Sequence, residues 1–99
     1  PMNDDTDSKS GLIRVLMQRF ETEHLDRILM LKESVDGGKT LSNYEQTFLE
    51  NVCQEALKSK YLVDRHPEYQ PLYARVVKLY RQITTQALEN EQRASGFQR

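Results

Sequence analysis

Apolar residues recur every three or four positions along three long stretches of this 99-residue chain, which is the spacing of one face of an α-helix. No alternation of apolar and polar residues, as in a β-strand, competes with this pattern. The sequence therefore predicts an all-α fold with helices over residues 10–35, 42–65 and 71–92. Because only short loops join these segments, we expect an antiparallel three-helix bundle.

The predicted helix ends carry recognisable signals. Ser10 is a suitable N-cap for the first helix, and Asp36-Gly37-Gly38 supplies the glycines that end a helix in a left-handed conformation. Ser42-Asn43-Tyr44-Glu45 matches the capping box that opens a helix. Pro67 disfavours helical backbone at the preceding residue and so ends the second helix, while Pro71 fits the first turn of the third.

The first predicted helix carries more apolar surface than one stripe requires. Val15 and Leu31 lie off its main stripe, and Thr22 offers an N-cap that would divide the helix near residues 21–23. Apolar surface that two neighbouring helices leave uncovered is commonly buried by a second copy of the chain. We therefore expect this surface to support a homodimer.

The composition, with 37% hydrophobic and 29% charged residues, is that of one small domain. We assign residues 10–93 to a single helical domain, with a disordered acidic N-terminus over residues 1–9 and a frayed tail over residues 94–99. Lone Cys53 forms no intramolecular disulfide, and residues 1–9 lack the basic and apolar regions of a secretory signal. The longest apolar run, Ile28 to Leu31, is far shorter than the ~20 residues of a membrane span. We expect a cytoplasmic protein that does not enter the membrane.

The distribution of charge points to a protein partner rather than to nucleic acid. The formal net charge is -1, whereas nucleic-acid-binding domains are usually strongly basic. The third helix nevertheless concentrates tyrosine and cationic side chains, and tyrosine and arginine are favoured at the centres of protein interfaces. We predict a partner-binding surface formed by Tyr69, Tyr73, Arg75, Lys78 and Arg81.

Glu21 and His24 have the spacing of a metal-binding pair. They lie at positions i and i+3 of one helix, and this Glu-x-x-His spacing resembles that of ferritin-like carboxylate proteins, in which two such pairs surround two metal ions inside a helical bundle. The resemblance implies a dimeric metal-binding protein, with Glu45 or Glu50 as further ligands. Our preferred interpretation contains no metal and no cofactor, because a histidine at a core edge commonly packs without a ligand.

The same histidine supports another alternative. His24-Leu25-Asp26-Arg27 resembles the phosphoacceptor stretch of histidine phosphotransfer domains, which carry a histidine in the middle of a helix and a basic residue three positions later. The resemblance implies a phosphoryl group on His24 that is neutralised by Arg27, because a cationic side chain one turn away binds phosphate. Such a chain would be a phosphotransfer module.

No catalytic motif accompanies these residues. Cys53 lies on the apolar stripe of the second helix and has no base, orienting residue or oxyanion-hole sequence beside it. Gly37-Gly38-Lys39-Thr40 lacks the earlier glycine and the preceding strand of a phosphate-binding loop. We therefore predict a small helical protein–protein interaction or regulatory module without catalytic activity, whose partner is another protein or a second copy of the chain.

Overall fold

Three long helices form the antiparallel bundle that the sequence predicts. The computed structural model describes the backbone of residues 3–96 and the side chains of residues 11–95. The elements follow in the order α1 (Asn3–Arg19), a π-helical turn (Phe20–His24), α2 (Leu25–Asp36), α3 (Asn43–Arg65), a 3₁₀ turn (Pro67–Tyr69) and α4 (Gln70–Gly96). The first three elements form one continuous first helix. No helix of the described chain has the length and apolarity needed to cross a lipid bilayer.

The outer ends of the bundle's helices differ from the predicted bounds. The first helix begins at Asn3 rather than at Ser10, because no proline stands in this stretch to stop it, and α4 continues to Gly96. The predicted disorder of residues 1–9 and fraying of residues 94–99 fall mostly on residues whose side chains lie outside the described part of the chain. Both stay predictions.

The π-helical turn lies where the sequence suggested a break in the first helix. The Leu25 N–H donates a hydrogen bond to the carbonyl of Phe20, five residues earlier. In an unbroken α-helix, a step of five residues rotates the side chain by about 140°, which would carry Leu25 away from the face of Phe20. The π turn absorbs the extra residue, and both side chains are buried. Thr22 does not cap a second helix, because its hydroxyl donates to the carbonyl of Gln18.

The end of α2 has the glycine cap that the sequence predicts. Gly38 adopts a φ of 100°, a conformation in which a side chain would be strained. The Lys39 N–H returns to the carbonyl of Ser34 and the Gly38 N–H to that of Val35, which is the hydrogen-bond pattern of a Schellman motif. This cap reverses the chain toward α3.

Both predicted ends of α3 are confirmed. The Ser42 hydroxyl accepts a hydrogen bond from the Glu45 N–H at 3.1 Å, and the Glu45 carboxylate accepts one from the Ser42 N–H at 2.9 Å. These two bonds satisfy helix-terminal donors that would otherwise lack a partner. At the other end the helix stops at Arg65, two residues before Pro67.

The core is one cluster of apolar side chains drawn from all three helices. α4 packs against α2 and α3, and α1 packs against α3. Leu31 is buried, contrary to our assignment, because it lies three residues after Ile28 and four before Val35 and shares their face. Val15 remains 54% exposed. The buried apolar residues are Ile13, Met17, Phe20, Leu25, Ile28, Leu31, Val35, Leu49, Val52, Ala56, Leu62, Val63, Val76, Leu79, Ile83 and Ala87.

Asn90 joins α4 to the end of the first helix. Its side chain is buried, and its amide nitrogen donates to the carbonyls of Val35 and Lys39, both at 2.8 Å. Its amide oxygen accepts a hydrogen bond from Gln86 at 3.0 Å. Because these bonds are specific in geometry, Asn90 fixes the position of α4 along the bundle.

We predict that Asn90→Ala lowers the free energy of unfolding by about 1–3 kcal/mol, because it removes three hydrogen bonds made by a buried side chain. Urea unfolding followed by circular dichroism measures this loss. Asn51→Ala is the matched control, because Asn51 is exposed on α3 and its replacement should change stability by less than about 0.5 kcal/mol. Equal losses in the two variants would contradict the anchoring role of Asn90.

Candidate interaction surface

The groove between α3 and α4 is apolar at its base and open to solvent. At the end nearest the α2–α3 loop it contains a cavity of about 300 Å³. Leu88 is 54% exposed at this cavity although Leu49 and Ala87 beside it are buried. We call this site the α3–α4 groove; its lining residues are Leu41, Gln46, Leu49, Glu50, Tyr80, Thr84, Ala87, Leu88 and Glu91.

The α3–α4 groove differs from its neighbour between α2 and α4. That second groove is lined by polar and charged residues only, namely Lys32, Asp36, Arg81, Gln82, Thr85 and Gln86. A partner that binds a polar groove replaces hydrogen bonds to water with hydrogen bonds to protein, which contributes little free energy of binding. Burial of apolar surface contributes about 25 cal/mol for each Å². The α3–α4 groove is therefore the better of the two for binding a partner.

Acidic and basic side chains lie on different surfaces around α4. Glu50 of α3 and Glu91 of α4 line the α3–α4 groove, whereas Lys78 and Arg81 line a separate depression on the outer face of α4. All four side chains are exposed, and none forms an ion pair within residues 11–95. The acidic groove would attract basic side chains of a partner.

Two polar side chains of the groove, those of Tyr80 and Thr84, are half-buried. Burial raises the pKa of the Tyr80 phenol above its ordinary value of 10.0, and neighbouring Cys53 and Glu50 raise it further. The Thr84 hydroxyl donates to the carbonyl of Tyr80 at 2.9 Å. Because that donor is already satisfied, a partner can cover Thr84 without leaving it unpaired.

The structure brings together three of the five residues that we predicted to bind a partner. Tyr73, Lys78 and Arg81 line one depression on the outer face of α4. Arg75 lies two positions from Tyr73, which places their side chains about 160° apart around the helix. Tyr69 is half-buried in the 3₁₀ turn and packs against the core.

Sequence analysis did not single out most residues of the α3–α4 groove. The stripe Val77, Tyr80, Thr84, Leu88 and Glu91 steps along α4 by three, four, four and three residues. This spacing places the five residues on one face of the helix, and it is the sequence pattern from which the α4 wall of the groove could have been predicted. It was obscured because the same stretch of sequence also carries the core stripe.

A second exposed apolar area lies where α1 meets α3. Leu12 and Tyr61 are 48% and 58% exposed, and they border a cavity of about 260 Å³ together with Leu16. Arg19 and Glu55 stand at its rim, with a guanidinium nitrogen 4.0 Å from a carboxylate oxygen. Arg19 and Glu55 are thus paired with each other, whereas Lys58 at the same cavity forms no ion pair within residues 11–95.

His24 lies in an aromatic setting between the first helix and α3. Its ring makes edge-on contacts with Phe20 and Phe48, with centroids 5.7 and 5.8 Å away. Its Nε2 atom is buried without a hydrogen bond, 3.5 Å from a carboxylate oxygen of Glu55. The Arg27 guanidinium stacks over Phe48, 4.0 Å from the ring centroid. These contacts hold the π turn against α3.

This geometry bears on both alternatives drawn from His24. Glu21 is exposed, and within the described residues no three His, Cys, Asp or Glu side chains converge as a metal site requires. Glu45 is engaged in the capping box, and Glu50 lines the α3–α4 groove. A phosphoryl donor has no open approach to the buried Nε2 atom, and the nearby Glu55 carboxylate would repel it.

Comparison with known proteins adds no relative: the chain matches no protein-family model, no curated protein and no solved structure.

We predict that Tyr80 ionises above pH 10, because burial disfavours the phenolate. An absorbance titration of the wild-type chain minus that of Tyr80→Phe isolates this step. Glu50→Gln should lower the midpoint, because it removes a neighbouring negative charge. In the unfolded chain the Tyr80 phenol has its ordinary pKa of 10.0 and loses its proton first. The stability that neutral Tyr80 contributes is therefore complete below pH 10 and is lost as the pH rises through the pKa of the folded chain. A midpoint at or below pH 10 would contradict the burial of Tyr80.

Proposed function

We propose that this chain is a protein–protein interaction module that binds its partner in the α3–α4 groove. The observation that carries this proposal is the exposure of Leu88, which is 54% accessible above buried Leu49 and Ala87. A large apolar side chain at the mouth of an apolar cavity gains free energy when a partner covers it. Exposed apolar patches of this kind commonly mark interaction sites.

An amphipathic helix is the partner element that suits the groove. Two packed helices leave between them a trough that accepts a third, and helix-in-groove binding places apolar anchors at intervals of three or four residues. A partner helix beside α3 and α4 would complete a four-helix bundle locally. Glu50 and Glu91 of the groove would attract basic side chains of that helix.

The tyrosine and basic side chains predicted from the sequence lie beside the groove rather than in it. Tyr73, Lys78 and Arg81 line a separate depression on the outer face of α4, where they supply an aromatic anchor and two cations. Binding rather than catalysis is the role we propose. Half-buried Cys53 is the chain's only cysteine, which suits the reducing cytoplasm that we propose as its location.

We predict that Leu88→Glu abolishes capture of the partner by immobilised chain, because it places a charge in the apolar part of the groove. Quantitative mass spectrometry of proteins retained from lysate of the native cells measures this. Met30→Glu is the matched control, because Met30 is 69% exposed on α2, outside the groove. We expect a protein that the wild type and the control retain at an about tenfold higher level than Leu88→Glu does.

Folding of both variants is checked by their helical circular dichroism and by urea unfolding. The same proteins at the same levels on all three chains would contradict the assignment of the groove. Loss of capture in Met30→Glu but not in Leu88→Glu would place the binding surface on α2.

A further inference from the structure

We infer that the partner in the α3–α4 groove is a basic amphipathic helix of about three turns, whose apolar stripe carries lysine or arginine on both flanks. This inference rests on the proposed function and names the chemistry of the helix that the groove binds. Three observations support it: carboxylates stand on both walls of the groove, its other polar side chains offer acceptors, and its apolar surface runs for about three turns.

The charge of the groove has one sign. Glu50 belongs to the α3 wall and Glu91 to the α4 wall, and no lysine or arginine stands among the described residues that line the cavity. Neither carboxylate forms an ion pair within residues 11–95. Burial raises the pKa of the Tyr80 phenol, and the nearby Cys53 and Glu50 raise it further, so the negative charge of Glu50 acts inside the groove. A basic helix would pair with both carboxylates, whereas an acidic one would be repelled.

The uncharged polar side chains of the groove offer chiefly hydrogen-bond acceptors. The Thr84 hydroxyl already donates its proton to the Tyr80 carbonyl at 2.9 Å, and one amide N–H of Gln46 donates to the Leu41 carbonyl at 3.3 Å. The side-chain oxygens of Thr84 and Gln46 keep lone pairs that can accept. Lysine and arginine only donate, whereas ionised glutamate and aspartate only accept. A basic helix therefore complements the groove in hydrogen bonding as well as in charge.

The apolar surface of the groove continues beyond the cavity along both helices. On α4, half-buried Val77 and Tyr80 lie eleven and eight residues before Leu88. On α3, Leu57 is 52% exposed and lies one turn after Cys53, which acts on Tyr80 across the groove. From Val77 to Leu88 the helix rises by about 16 Å, or three turns. A partner helix of that length would place apolar side chains, three or four residues apart, along this surface.

The neighbouring surfaces do not suit the same helix. The depression on the outer face of α4 is lined by Lys78 and Arg81 and by no carboxylate of the described residues, so it would repel a basic partner. The cavity between α1 and α3 sets two cations, Arg19 and Lys58, beside one carboxylate, that of Glu55. We therefore assign the basic helix to the α3–α4 groove.

Two synthetic peptides of about 15 residues serve as probes. Both carry leucine at every third or fourth position, which makes one apolar stripe. The basic peptide has lysine on both flanks of this stripe, and the acidic peptide has glutamate at the same positions. Isothermal titration calorimetry with the full chain measures both affinities. We expect the basic peptide to bind at least about tenfold more tightly, and the difference to shrink as the salt concentration rises.

Removal of the groove charges tests where the preference arises. Glu50→Gln with Glu91→Gln should weaken binding of the basic peptide about tenfold and remove its advantage over the acidic peptide. Glu33→Gln with Glu89→Gln is the matched control, because it removes the same charge at exposed positions outside the groove. This control should bind both peptides as the wild type does. Helical circular dichroism checks that both variants fold.

Three results would overturn the inference: equal affinity of the wild type for both peptides, no binding of the basic peptide up to about 1 mM, or an equal loss in the Glu33 and Glu89 control. Leu88→Ser separates this inference from the proposed function. If both peptides bind the wild type equally and Leu88→Ser weakens both, the groove binds helices without regard to charge, and only this inference fails. If peptide binding ignores Leu88→Ser and protein capture ignores Leu88→Glu, the proposed function itself fails.

Discussion

One backbone hydrogen bond, from the Leu25 N–H to the Phe20 carbonyl, closes the π turn that keeps Leu25 on the buried face of the first helix. In an unbroken α-helix the side chain of Leu25 would be rotated by about 140° from that of Phe20. In the structure both side chains are buried. The turn also sets His24 between Phe20 and Phe48, so the irregular segment is held in place by its own packing.

The α3–α4 groove depends on how α4 is positioned by contacts at the end of the bundle. Asn90 bonds to carbonyls at the glycine cap of α2, and the capping box sets the start of α3 at the same end. These polar contacts tie α4 to the end of α2, and the apolar residues Val76, Leu79, Ile83 and Ala87 form its buried face. Leu88 lies off that face and reaches solvent at the groove.

The sequence predicted helices and caps well because these depend on neighbouring residues. Ser42 and Glu45 lie three positions apart, so their capping box was readable directly. The rotation of each helix depends on distant partners and was less accessible. Leu79 is buried and Leu88 is exposed, although both are apolar residues of the third predicted helix. The groove could not be predicted from the sequence, because it forms only where α3 and α4 lie side by side.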